Sequence, residues 1–218
     1  HLTDLPEQEE VYAVFADPAR TDRFLISYYA ALYLTEDGGK TYKLLYRHSD
    51  MNTGLHIAGV FWDEWSLFFV ATNAGLFRGT GPGDFQPVAM TGLPADEGFR
   101  SFTAGRDKQT GEARCFAITY PKAQIFAGIW ANDYTAFKAA YTARIENTFA
   151  WKNISGSFNA DHKPTFAAMA HNQAAVAYLA GGDARTGRPL VLKTDNGGDA
   201  WREVMRTEGN ANIEVGWC

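Results

Sequence analysis

Residues 35–42 read TEDGGKTY, and the fold turns on what these eight residues do. Two acidic side chains, two glycines and an aromatic ring suit either a small cation site or a hairpin turn that needs positive φ at glycine. Calcium asks for roughly six to eight oxygen ligands, and no second carboxylate of matched spacing supplies them. An Asp followed by glycines, by contrast, satisfies its own backbone as an Asx-type turn. The stretch is therefore read as a turn, and no metal site is expected in it.

Similar letters return at 194–201 as TDNGGDAW, with Asn196 for Asp37, Ala200 for Thr41 and Trp201 for Tyr42. Working outward, 11–45 lines up with 57–88, which sets Asp17 on Asp63, Leu32 on Leu76 and Tyr42 close to Phe85. A third copy begins at 99–120 and a fourth at 165–182; aromatics at 42, 85, 151 and 201 mark four outer strands. A fixed period of about 40 to 50 residues is the mark of stacked units of one supersecondary type. Inside the units, runs such as Leu25-Ile26-Ser27-Tyr28-Tyr29 read with period two, and Gly, Asp and Asn recur too often for helices. The pattern predicts an all-β chain, a β-propeller of four-stranded antiparallel blades. About four blades are present, near 11–49, 55–92, 99–156 and 164–207, with 211–218 (ANIEVGWC) starting a further one. In the third unit, 133–148 (DYTAFKAAYTARIENT) is read as an insertion whose Ala and Tyr spacing allows a short helix.

TEDGGKTY resembles the Asp-box, or BNR repeat, of pattern Ser/Thr-x-Asp-x-Gly-x-Thr-aromatic: Thr35, Asp37, Gly39, Thr41 and Tyr42 all fit. The copy at 194–201 keeps Thr194, Gly198 and Trp201 and loses the Asp and the Thr, while 80–85 keeps only Gly and the aromatic. The resemblance implies a propeller of the sialidase, xyloglucanase and sortilin-like superfamily, which also includes a photosystem assembly factor. It implies that the box sits between the third and fourth strands of a blade, its Asp accepting backbone N–H bonds and its aromatic packed between blades. Such a family name implies a fold and leaves the activity open. Propellers of this kind usually have about six to eight blades, roughly 300 residues or more. An incomplete ring is therefore expected, closed by remaining blades or by another chain.

Aromatics make up 14% of the 218 residues, which suits an ordered, tightly packed chain. The 20 basic and 25 acidic side chains leave a formal charge of -5, without the field of a protein that tracks a phosphate backbone, so nucleic acid is not an expected partner. The longest apolar stretch, 59–72, is broken by Asp63 and Glu64, so no membrane insertion is expected. The first ten residues show no basic region followed by an apolar block. The expected setting is extracellular, periplasmic or cell-surface, and Asn153-Ile154-Ser155 is a glycosylation sequon. Cys115 and Cys218 either pair or stay free. No GxSxG elbow is present, and 79–85 (GTGPGDF) lacks the Lys-Ser/Thr ending of a phosphate loop, so it reads as a tight turn. His48, His56, His162 and His171 lack metal-ligand spacing and read as surface or loop histidines; no metal and no cofactor is expected.

By the repeat, the turns between second and third strands and the unit-to-unit loops share one edge, opposite the boxes. That edge carries Tyr28 and Tyr29, 49–56, Asn73, 90–100, Tyr120 with Lys122, and 181–188. Tyr29, Asp50, His56, Asp183 and Arg188 are the candidate ligand-binding residues, a mixture suited to a polyhydroxylated or acidic ligand. In FWDEW (61–65), Trp62 and Trp65 either pack between blades or contact another subunit or domain. A glycosidase needs two carboxylates about 5 to 9 Å apart. Asp50, Asp96, Glu97 and Asp183 are loop carboxylates without evident pairing, so no catalytic residue is assigned. The expected function is a non-catalytic scaffold that recognises a protein or a glycan. The alternatives are part of a glycoside hydrolase, or an assembly factor within a large complex.

Overall fold

The structure is a computed structural model that describes residues 5–125 and 134–206. Alternating side chains make its strands and short polar turns end them. In β2 (Arg20–Ser27) Leu25 faces one side of its sheet while Phe24 and Ile26 face the other. Leu25 and Ile26 are both buried, so the sheet is covered on each face.

The chain divides into two compact units, residues 1–88 and 89–218. In the first, β1 (Ala13–Asp17), β2, β3 (Ala31–Thr35) and β4 (Lys43–Arg47) form an antiparallel sheet in chain order. β5 (Ile57–Trp62), β6 (Phe68–Thr72), β7 (Gly75–Gly79) and β8 (Phe85–Pro87) form a second. Their facing sides share one core, in which Leu25, Leu32 and Leu34 meet Phe68 and Val70. Truncating one such leucine to alanine costs about 2–5 kcal/mol.

The second unit opens with β9 (Ala89–Thr91), which pairs in parallel with β13 (Thr148–Ala150). Gly92 makes this crossing possible: its φ is +79°, and a Cβ there would lie 2.2 Å from the Trp151 carbonyl oxygen. β10 (Glu97–Arg106), β11 (Ala113–Pro121), β12 (Ala139–Arg144) and β14 (Lys152–Asn153) form the third sheet. β15 (His162–Met169), β16 (Ala177–Asp183), β17 (Pro189–Thr194) and β18 (Arg202–Arg206) form the fourth. Phe116, Ile118 and Ala140 of the third sheet pack on Leu179, Leu190 and Leu192 of the fourth.

Four consecutive four-stranded antiparallel sheets, each open and each wound in chain order, are blades of a β-propeller. One expectation is corrected. Part of the presumed insertion, Ala139–Arg144, is not a helix but the third strand of its blade, paired with β11 and, at Tyr141 and Thr142, with β14. Its first five side chains are buried, so small alanines on both faces fit between neighbours, where a solvent-facing helix would have needed a polar stripe. The suggested opening strand at 211–218 and Cys218 lie outside the described residues; Cys115 is a buried free thiol. No helix among the described residues is long and apolar enough to cross a membrane.

Candidate functional site

The turn at 35–42 closes on itself. The Asp37 carboxylate accepts from the backbone N–H groups of Lys40 and Thr41 at 3.0 and 2.9 Å, and from the Thr41 hydroxyl at 2.7 Å. The Thr35 hydroxyl donates to Asp37 and accepts from the Gly39 N–H, each at 2.9 Å. These donors, the Thr41 hydroxyl first, pull the Asp37 pKa down to about 2. Gly38 and Gly39 hold φ of +73° and +86°. At 194–201 the Asn196 amide oxygen takes the same place, accepting from the Ala200 N–H at 3.0 Å and the Thr194 hydroxyl at 2.8 Å. Tyr42 and Trp201 each stand one residue before the fourth strand of their sheets, the Trp201 ring 5.9 Å from that of Phe116.

In the first unit, Tyr29, Asp50 and His56 belong to one loop cluster. The Tyr29 hydroxyl donates to the Met51 carbonyl at 2.9 Å, and the Tyr29 carbonyl accepts from Leu55 N–H. Asp50 caps its own turn through the Asn52 N–H at 2.9 Å, which is the main reason its pKa lies below the usual carboxylate range. Asn73 clamps the loop: its amide donates to the Gly54 carbonyl at 2.9 Å and accepts from the His56 N–H at 3.0 Å. Outside this frame, the exposed ring of Tyr12 lies 6.2 Å from that of Tyr29. Tyr28, placed on this edge by the repeat, is instead fully buried, edge-on to Tyr33 at 5.9 Å.

In the second unit, Asp183 and Arg188 share the turn between β16 and β17, but only Arg188 is exposed. Asp183 is buried and accepts from the N–H groups of Arg185 and Thr186 at 2.9 and 3.0 Å and from Arg206 at 2.9 Å. Burial acts to raise its pKa, yet Arg206 and the two N–H groups outweigh it and lower the value. Arg206 in turn forks onto Glu203, two contacts of 2.7 Å, and reaches His162 at 3.4 Å. His162 is thus a buried residue at the start of β15 rather than a surface histidine.

Glu97, expected as a loop carboxylate without pairing, instead opens β10 and has partners, and Glu7 and Arg23 hold structural places that the sequence did not flag. Glu97 accepts from the Thr119 hydroxyl and, at 3.2 Å, from the Tyr141 hydroxyl. Glu7 does the same for Tyr33, with Arg47 bonded at 2.6 Å. Burial, followed by the neighbouring glutamate, pushes each phenol up to about 12. Arg23 is wholly buried, donating to the Ser66 and Thr80 carbonyls at 3.0 and 2.7 Å and lying 3.4 Å from Asp17. Its guanidinium stands 5.0 Å from the Trp62 ring and 5.2 Å from the Phe68 ring. Trp62 is half-buried there, whereas Trp65 is 93% exposed. A signal for Arg23 was present: RFLIS (23–27) and RCFAIT (114–119) both set an Arg directly before the apolar run of a second strand.

No protein-family profile matches the chain, and no curated protein sequence matches it. Solved structures do. An ancestral GH74 enzyme is similar over 97% of this chain and 29% of its own, with a TM-score of 0.63 at 14% identity. YCF48 from Cyanidioschyzon merolae is similar over 93% of this chain and 59% of its own, with a TM-score of 0.51 at 14% identity. At such identities the likeness is one of fold, and it agrees with the β-propeller read from the sheets. The chain spans less than two thirds of either neighbour's length.

Proposed function

We propose that this chain is part of a longer β-propeller of the Asp-box kind, secreted or at a cell surface, which serves as a non-catalytic scaffold for recognition of a protein or glycan. The remaining blades, on this polypeptide or another, complete the ring. Support for the Asp-box assignment comes from the Asp37 and Asn196 turns, whose side-chain oxygens bond backbone N–H groups in the same way. Support for a longer ring comes from the share of each neighbour that the chain covers.

One observation carries the binding reading: three of the four loop-edge carboxylates are spent on their own scaffolds, and the fourth, Asp96, is exposed. Asp50 caps a turn, Asp183 holds two N–H groups and Arg206, and Glu97 accepts from Thr119 and Tyr141. Buried phenols held near 12 are poor nucleophiles at neutral pH. Outward stand Tyr12 with Tyr29, beside Met51, Arg188 on its own turn, and the Asp96 carboxylate. A glycan array and hydrolysis assays on the full-length parent test this. Binding that falls about tenfold on Tyr29→Ala, with no turnover, is the expected result; the factor is that of one stacked aromatic. Turnover that disappears on Asp50→Asn or Asp183→Asn contradicts it and favours the second reading, part of a glycoside hydrolase, toward which the likeness to the GH74 enzyme points.

A further inference from the structure

The four blades serve as controls for one another, and one turn departs from the rest. Between first and second strands, the first, third and fourth sheets use short polar or small-residue connections: Pro18-Ala19, 107–112 (DKQTGE) and 170–176 (AHNQAAV). The second sheet uses Asp63–Leu67, and there Trp65 is 93% exposed. Trp65 and Ser66 hold φ of 59° and 65°; among the described residues they are the two non-glycine positions with positive φ. Adjacent left-handed residues, one of them tryptophan, are a cost the other three blades avoid. So large an apolar ring in water is a second cost.

The turn is nonetheless fixed. The Asp63 carboxylate accepts from Glu64 N–H at 2.9 Å, Asp63 N–H donates to the Leu67 carbonyl at 2.7 Å, and Leu67 N–H returns to the Glu64 carbonyl at 3.1 Å. Arg23 grips the Ser66 carbonyl from the neighbouring sheet, itself buried against Trp62 and Phe68. A rigid base therefore holds a ring with no intramolecular role among the described contacts.

We propose that Trp65 is a preformed anchor for a protein partner, seated in an apolar pocket whose rim carries Lys or Arg side chains. Rigid, exposed tryptophans are the residue type that dominates binding energy at protein interfaces, and a prefixed turn loses little entropy on docking. The basic rim follows from Asp63 and Glu64, which precede the ring directly. A sugar platform fits less well, because Trp62 turns inward against Arg23 and does not stand beside Trp65 as a second exposed ring. This surface belongs to the Asp37-turn edge of the first unit and is independent of any ligand on the opposite loops.

The test has two arms on the full chain. In the first, Trp65→Gly raises the melting temperature by about 2–4 °C, the shift that relief of about one left-handed residue gives at this size. A drop instead makes Trp65 structural and overturns the proposal. In the second arm, p-benzoyl-L-phenylalanine replaces Trp65 in the source cells, with the same probe at exposed Lys108, in the matching turn of the third sheet, as the control. The expected result is one protein adduct specific to position 65, mapped to an apolar pocket with a basic rim. The purified pair then binds about 30-fold more weakly on Trp65→Ala and a few-fold more weakly on Glu64→Gln. No specific adduct, an affinity indifferent to Trp65→Ala, or Trp65-dependent binding to cellohexaose or to phosphatidylcholine–phosphatidylserine vesicles instead overturns it.

Discussion

Arg23 and Arg114 occupy matching places in the two units. Each stands in the first half of a second strand and donates to a carbonyl in the turn between third and fourth strands of the next sheet: Arg23 to Thr80, Arg114 to Gly197 at 3.2 Å. Each is also held by an acid near the end of its own hairpin, Asp17 at 3.4 Å and Glu112 at 2.7 Å. Their surroundings differ. The Arg23 side chain has no exposure and lies against two adjacent aromatic rings, whereas that of Arg114 is 19% exposed and meets bare glycine backbone. A carbonyl-seeking guanidinium can thus join consecutive blades in a dry seam or a wet one. Desolvation decides how much the joint is worth.

The largest break in that comparison is Arg23→Ala. It strands Asp17 and two carbonyls in a buried seam and costs about 3–5 kcal/mol by urea unfolding. Gly197→Ala comes next, at about 1–2 kcal/mol: its φ is +72°, and the new Cβ would meet the Arg114 guanidinium at 2.9 Å. Arg114→Ala costs about 1 kcal/mol, because water reaches its partners. Equal losses for the two arginine variants would remove the distinction between the seams.

The Asp37 and Asn196 turns, alike in shape, differ in their response to pH. The folded Asp37 carboxyl, near 2, holds its proton less tightly than an ordinary carboxyl of 3.8. Its contribution is complete above about pH 4 and is lost as pH falls through 2. Asp37→Asn therefore melts below the parent at neutral pH, and the gap closes toward pH 2; a gap independent of pH contradicts the charged turn. Asn196, with a neutral amide in the same position, brings no such acid dependence to the second unit.

What the sequence revealed depended on range. The Thr35–Tyr42 turn and the aromatics that mark the outer strands were legible because each is a local pattern repeated along the chain. Asn196 and Ala200 read as losses from that pattern, yet the turn keeps its shape, since the bonds that set it need an oxygen rather than a charge. Ala139–Arg144 was missed because alternation among alanines carries almost no contrast between faces. Arg23 was missed because its carbonyl partners lie 43 and 57 residues away, and a charged residue in RTDRF looks solvated. Of the candidate site, the loops were legible and the engagement of Asp50 and Asp183 was not, since it depends on backbone geometry that composition does not encode.

Stacking of β1–β4 on β5–β8 through Leu25, Leu34, Phe68 and Val70 underlies the blade arrangement of the first unit and the Arg23 seam. Methyl and aromatic NOEs on the full chain test it directly. Cross-peaks from the Leu25 and Leu34 methyls to the Phe68 ring and the Val70 methyls are the expected result. Their absence, with those methyls instead contacting only residues of their own sheet, would contradict the blade arrangement.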